Sequence, residues 1–457
     1  MFRRHFSSIE FFPVILGALL LGLAAWQNMY PLVYSDTGTY IVSGLNGVVP
    51  NDRPLLYGLF LRHTSMRTTM WLSLIAQLLI VSSVLFAFVK SMFTDLKYRS
   101  IFYGLTTILV FFTAISIKTS TLIPDAFTPL VILCSVILWK RPSSILLRIW
   151  FSVIMIFCLS VHHSHMIILL LALLLFALYA WIHLRKPMLH ELRRAIFFMP
   201  VLVSSLLLTP TINYVFSGDF YSNRSGGIFT IGRIADTGVL EEYLKENCDR
   251  LPYEICQYKD ELRLDFLWND KSPLYKMGGW QQPRDEYEAI VFDIITTPKY
   301  FARLAAKIFP DMIVQFCSFG IDRFPENAQY GVDTAPYYAL RDVYSSELPH
   351  YLASNQNTGR LHYGSINARQ EFFAVILLLM FIAVMASSAR KFLQPMKNLL
   401  LLIFFYTISN AVVCAAFSIP NPRYQTRVFW LLPLIFMMTI IKIWTGHRAE
   451  LKQWFRF

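Results

Sequence analysis

The sequence predicts an all-α polytopic membrane protein of about ten transmembrane helices, with a mixed extracytoplasmic domain between the seventh and the eighth. Three observations carry this. Of 457 residues 55% are hydrophobic and only 15% charged, well beyond the usage of soluble domains. Apolar stretches near the roughly 20 residues needed to cross a hydrocarbon core recur at both ends of the chain. The basic residues behind the formal charge of +12 punctuate these stretches instead of gathering on one polar segment, which argues against a nucleic-acid partner and for a topology signal.

The apolar runs place spans at about 11–30, 70–89, 100–118, 124–139, 146–161, 166–183, 195–215, 371–389, 398–417 and 428–444. The first follows Arg3 and Arg4 but has no small-residue cleavage site and ends in Trp26 and Tyr30, so it reads as a retained helix. The fifth and sixth are separated only by the turn around His162 and His163. With both termini cytosolic, the short inside segments hold 19 Lys and Arg and the short outside ones six: Arg53, Arg62, Arg67, Lys118, Arg423 and Arg427. That asymmetry obeys the positive-inside rule and keeps the fifth and sixth spans separate.

Three regions follow: an N-terminal transmembrane module at 1–216, with a first outer loop at 31–69; an extracytoplasmic domain at 217–370; and a C-terminal transmembrane module with a basic tail at 371–457. The middle region holds most of the acidic residues. Its one close cysteine pair, Cys248 and Cys256 in ENCDRLPYEIC, is placed to close a short disulfide loop in an oxidising compartment, the alternative being two free thiols. Within it, Thr297–Phe316 sets Tyr300, Leu304, Ile308 and Met312 on one helical face and Lys299, Arg303 and Lys307 on another, the pattern of an interfacial helix or of an ordinary packed one.

Charges near membrane depth are costly, so the few acids outside the middle region stand out. Asp36, in YPLVYSDTGTYI, sits just beyond the first span, where a carboxylate can accept a proton from an attacking hydroxyl or cap the short helix that follows. Asp125, in IPDAF, opens the fourth span and could cap it, while Lys118 lies seven residues earlier, as a phosphate ligand, a snorkelling lysine or a partner of Asp125. Asp52 and Arg53 form a turn or salt bridge before Leu55–Leu61, a stretch too short to span that fits the membrane surface. Arg423 and Arg427, in NPRYQTRVFW with Tyr424 between them, break the positive-inside trend and suit a lipid phosphate, which guanidinium groups grip bidentately. His162, His163 and His165, in SVHHSHM, offer substrate contact, polar packing or a metal site, the last weakened by the lack of a nearby acid.

The set SDTGTY, IPDAF, VHHSHM and NPRYQTRVFWLLPL resembles the GT-C superfamily of membrane glycosyltransferases, over the membrane part of the chain and not the middle region. The resemblance implies a polyprenyl-phosphate sugar donor and a glycan, lipid or protein acceptor, with the site on the outer or lumenal face. It nominates Asp36 as catalytic base or positioner with Asp125 nearby in the catalytic set. Lys118, Arg53, Arg423, Tyr424, Arg427 and the three histidines would then serve substrate and lipid phosphate. No cofactor is demanded, and a divalent metal stays open. The chain has one acid where many members carry two, and its outer domain follows the seventh span, which leaves subfamily and acceptor open. A bacterial inner membrane is the expected location, although an endoplasmic-reticulum enzyme would share the topology. A transporter or flippase of an anionic or lipid-linked substrate, and a lipid-linked oligosaccharide polymerase or ligase, are the competing readings.

Overall fold

A computed structural model describes residues 10–93, 97–184, 198–262, 265–282, 285–321, 330–386 and 394–454. Arg3, Arg4, Arg185, Lys186, Arg193, Arg194, Arg390, Lys391 and Arg456, counted in the topology argument, lie outside them. The described residues are helical throughout, with one isolated parallel bridge, Leu32 to Thr121, and no strand. This corrects the expected mixed outer domain: its described residues are helices and turns. In lipid a segment must satisfy its own backbone, which favours helix wherever the chain is apolar.

The N-terminal part contains α1 (Phe11–Leu21), α2 (Leu23–Asn28), α3 (Ser35–Asn46), α4 (Leu56–Thr64), α5 (Met70–Met92), α6 (Tyr98–Phe112), α7 (Ile115–Ser120), α8 (Thr128–Trp139), α9 (Ile145–Ser160), α10 (His163–Leu184) and α11 (Met199–Ser217). The outer segment adds α12 (Gly226–Asp236), α13 (Val239–Asn247), α14 (Pro273–Lys276), α15 (Asp285–Thr296), α16 (Pro298–Cys317), α17 (Ala335–Val343) and α18 (Leu348–Leu352). The chain then returns through α19 (Tyr363–Ala386), α20 (Gln394–Phe417), α21 (Pro422–Phe429) and α22 (Leu431–Trp454).

Among the described residues six stretches are long and apolar enough to cross a membrane: α5, α10, α11, α19, Met396–Phe417 of α20, and Pro422–Thr445 across α21 and α22. Shorter apolar helices occupy Phe11–Leu21, Tyr98–Phe112, Pro124–Trp139 and Ile145–Ser160. The chain is thus built as a helical membrane protein, with α5 as its most enclosed span and α19 almost wholly exposed along its apolar length, as a lipid-facing helix is.

Two expected spans are broken, and the breaks satisfy each other. The first parts at Gly22 and the third at Thr113, whose backbone is extended. Ser116 accepts from the Ala24 amide at 2.8 Å and donates to the Leu21 carbonyl at 3.0 Å, Thr119 donates to that carbonyl at 2.9 Å, and Ser120 accepts from the Ala25 amide at 3.2 Å. Hydroxyls on α7 therefore satisfy the backbone groups exposed where α1 gives way to α2, the condition for irregular backbone away from water.

The outer segment does not pack as one body. Residues of α12, α13, α15 and α16 form a core of their own, whereas Tyr330, Ala339, Leu340, Tyr344 and Tyr351 join the membrane-helix core. Cys248 and Cys256 are disulfide-bonded at the edge of the outer core. Of the two readings open for α16, interfacial or packed, its apolar face fits the second: Tyr300, Leu304 and Ile308 are buried in that core. Lys299 and Arg303 pair with Glu246 and Glu242 of α13, so α16 is a packed helix. The short apolar stretch at 55–61 also packs inward, α4 meeting α3 at Gly58 and Gly44.

Close backbone approach fixes the first outer loop. A Cβ at Gly38 would lie 2.4 Å from the Ala335 carbonyl carbon, so α3 and α17 meet at a site where only hydrogen fits. Gly38→Ala is expected to lower stability by about 1–3 kcal/mol, the usual cost of overpacking. Gly104→Ala on α6, where a Cβ meets nothing within 4 Å, serves as the control. Thermal unfolding of the detergent-solubilised variants measures both, and equal midpoints would refute the contact.

Candidate functional site

Three segments distant in sequence bring their charges to one point. The bridge at Leu32 starts the assembly: its amide donates to the Ser120 carbonyl at 3.0 Å and its carbonyl accepts from the Leu122 amide at 2.9 Å, which ties the first outer loop to the turn before Asp125. Thr37 reinforces it, accepting from the Tyr34 amide at 2.9 Å and donating to the Leu122 carbonyl at 3.0 Å. The Gln356 side chain clamps the same loop by bonding both the amide and the carbonyl of Val33, at 3.1 and 2.8 Å.

Neither aspartate caps its helix. Tyr34 is the residue that precedes α3, and Asp36 lies within its first turn; Asp125 sits in the 3₁₀ turn Pro124–Phe127 that leads into α8. Both spend their oxygens on arginines. Arg53 and Arg423 grip Asp36 at 3.0 and 2.8 Å, and Arg53 also donates to Asp52 at 2.9 Å. Asp125 receives Arg423 at 2.7 Å and Arg427 at 3.0 Å. The result is a ladder of alternating sign, Asp52, Arg53, Asp36, Arg423, Asp125, Arg427, in which three carboxylates balance three guanidinium groups.

Packing holds the ladder's rungs. Arg423 and Arg427 stand one helical turn apart on α21, whose entry Asn421 caps by accepting from the Arg423 amide at 2.8 Å. The Tyr34 ring covers Arg423 at 4.1 Å and the Tyr40 ring lies 5.2 Å from Arg53, cation–π geometries that shield both cations. Asn410 accepts twice from Arg427, at 3.1 and 3.0 Å, and its own amide donates to the Tyr424 carbonyl and to Gln425. Tyr424 places its ring within 6 Å of both arginines and its hydroxyl against Ser418.

The two central acids differ in access. The Asp125 side chain is fully buried, whereas that of Asp36 keeps 25% of its surface exposed. Desolvation favours the neutral acid at Asp36, but Arg423 and Arg53 outweigh it and hold the carboxyl below the usual carboxylate range. The ladder thus runs from a partly exposed end, Asp52, Arg53 and Asp36, to a buried one, Arg423, Asp125 and Arg427. A separate open cavity of about 560 Å³ is lined by residues 317–321, Asn367, Glu371 and Pro422; it touches α21 only at Pro422 and includes none of the ladder's charged residues.

The remaining candidates sit around the ladder with different duties. Lys118 is buried on α7 within electrostatic reach of Asp125. His165 is used up by the fold: its Nδ1 bonds the Cys158 carbonyl at 2.6 Å and its Nε2 the Thr128 hydroxyl at 2.7 Å. His162 stacks on it, 5.1 Å between centroids, and bonds Ser164 at 2.9 Å, while His163 is within electrostatic reach of Asp52. Among the described residues no three of His, Cys, Asp or Glu converge as metal ligands. Asn410, Tyr34 and Tyr40 escaped the sequence reading; an uncharged Asn inside an apolar run was the one signal available for the first of them. No known protein family, curated protein or solved structure matches this chain.

Removing one partner of a buried ion pair leaves an uncompensated charge. Arg427→Leu is expected to destabilise the protein by about 3–5 kcal/mol, and Asp125→Asn combined with it should recover at least half of that loss. Denaturant unfolding in detergent reads the cycle, and purely additive losses would show that the two residues do not act as a pair. The lowered Asp36 carboxyl also sets a pH dependence. Its ionised form stabilises the fold above its unfolded value of about 3.9, and the contribution is lost as pH falls through the lower folded value. The unfolding midpoint should therefore drop below about pH 4, and less steeply in Asp36→Asn.

Proposed function

We propose that this chain is an integral membrane glycosyltransferase that moves a sugar from a polyprenyl-phosphate donor to an extracytoplasmic acceptor. The observation that carries the reading is a partly exposed carboxylate, Asp36, held between two arginines, Arg53 and Arg423. A polyprenyl phosphate is already a good leaving group. The protein then has to orient the acceptor hydroxyl, take its proton, and stabilise the departing phosphate with fixed cations.

In this reading Asp36 accepts the proton as the acceptor oxygen attacks the anomeric carbon, an inverting displacement. Arg53 and Arg423 receive the phosphate. Asp125, buried and bonded to Arg423 and Arg427, positions the arginines and does not touch the reacting atoms. A carboxylate gripped by two arginines is a weak base, so the order of events matters. A donor phosphate draws Arg53 and Arg423 toward its own oxygens, which frees the Asp36 lone pairs and raises its basicity. Donor binding thereby prepares the base. The outer-facing site in a bacterial inner membrane, with both termini cytosolic, belongs to the same proposal.

The decisive comparison sets wild type against Asp36→Asn in nanodiscs, following lipid phosphate released from a panel of polyprenyl-phosphate sugars. Turnover of one donor, reduced at least about a thousandfold in the variant, is the expected outcome; such a loss fits removal of a general base together with misplacement of its neighbours. The acid limb of kcat should lie at higher pH than that of kcat/KM, since the two report the donor-bound and the free enzyme. A folded protein that binds polyprenyl lipids yet turns over none of the donors would favour the flippase or polymerase instead.

A further inference from the structure

The outer core presents a feature that the transfer site does not use. Between Asp265 and Gln282 the chain forms a compact surface loop anchored by buried residues, among them Phe266, Ser272, Leu274 and Met277. Its backbone is held from within: the Trp268 amide donates to the Asp265 carboxylate at 3.2 Å, the Lys271 amide to the Asn269 side chain at 2.9 Å, and the Ser272 hydroxyl to the Phe266 carbonyl at 2.8 Å. Underneath, Gly232 of α12 leaves no room for a side chain because Leu267 would lie 2.5 Å from its Cβ. Gly278 and Gly279, both at positive φ, turn the chain sharply so that Trp280 follows half-buried against the outer core.

This rigid loop displays aromatic rings. Trp268 is 58% exposed, an unusual state for so large an apolar side chain held in a fixed turn. Its ring lies 5.4 Å from that of Trp280 at an angle of 32°, and Trp280 meets Phe229 of α12 at 5.0 Å. The Trp280 indole N–H donates to the hydroxyl of the exposed Tyr275 at 3.3 Å. The same loop carries exposed hydrogen-bonding groups of mixed character: the carboxylates Asp265 and Asp270, the amides Gln281 and Gln282, and the lysines Lys271 and Lys276.

We infer that this surface, centred on Trp268 and Trp280, is a carbohydrate-binding platform that holds a glycan chain on the outer side of the protein. A pyranose offers two apolar faces of C–H groups and an equator of hydroxyls. Flat aromatic rings match the faces, and the loop's carboxylates and amides match the hydroxyls as acceptors and donors. A bilayer surface is the poorer fit, because the two acids of the loop offset its two lysines, Lys271 and Lys276, and leave no net positive charge to attract anionic headgroups. Asp236, exposed at the end of α12 and within electrostatic reach of Asp265, adds a further carboxyl group. The platform names a glycan as the acceptor class, a role that rests on the proposed transfer reaction; the binding itself does not.

Saturation-transfer NMR on the full chain in nanodiscs tests the platform, with maltohexaose, cellohexaose, chitohexaose and α-1,6-mannohexaose as probes. At least one should receive saturation, strongest on its ring C–H protons. Trp268→Ala and Trp280→Ala should each weaken its binding about tenfold, the usual scale for one lost ring contact, while Trp268→Tyr keeps most of it. Silence from all four probes, or alanine variants that bind as wild type does, would overturn the inference. So would quenching of Trp268 emission by brominated nanodisc lipid, identified by its absence in Trp268→Ala, since that would place the surface in the bilayer. Unchanged turnover in Asp36→Asn would defeat the transfer reading and leave probe binding untouched, so the two ideas fail separately.

Discussion

Three carboxylates and three guanidinium groups share one partly enclosed space at the meeting point of α3, the turn before α8 and α21, and the arrangement of these elements depends on their pairing. Any one of these charges alone would be expensive to desolvate. Alternation makes the enclosure tolerable, because Arg423 divides its donors between Asp36 and Asp125 and Asp125 receives two arginines in turn. The ladder also gives the first outer loop, the fourth apolar segment and the last span a common register that apolar packing alone would leave loosely specified. Neutral scaffolding completes it: Thr37, Gln356 and Asn410 bond the backbone around the charges.

A network this saturated has a functional consequence. Every central guanidinium is already occupied, so an anionic ligand enters by exchange with a carboxylate and not by occupying a vacancy. Of the two central acids Asp36 is the more accessible, with a quarter of its side chain exposed, and Asp125 is fully buried. On the proposed reading, exchange would take place at Asp36, with Asp125 behind it. The broken helices add to this picture. By splitting at Gly22 and Thr113, α1/α2 and α6/α7 bring backbone and hydroxyl groups to the level of the site, and α7 carries Lys118 toward Asp125.

Much of the architecture was legible in one dimension. The described residues of the ten apolar stretches are largely helical, six of the helices reaching span length, because hydropathy over a window of span length is a sum over neighbours in sequence. Helix breaks were not legible: the hydroxyls that permit the break at Gly22 come from α7, more than ninety positions away. The outer helix α16 shows the same limit. It is apolar on more than one face, with Tyr300, Leu304 and Ile308 buried and Phe301, Phe309 and Ile313 exposed, and periodicity cannot say which face meets protein.

By itself the sequence determined that the chain lives in lipid, where its apolar helices run, and which scarce polar residues stand out: Asp36, Asp125, Arg53, Arg423 and Arg427. Residue type and spacing suffice for that, since burying unpaired charge in lipid is costly wherever it occurs. Only the tertiary structure decided which charge faces which. The bond from Arg423 to Asp36 closes a separation of 387 positions, and His165, which residue type alone would admit to the site, is consumed by Cys158 and Thr128. Ion pairing acts over a few ångströms, and only the packing of the helices sets distances of that order between remote parts of the chain.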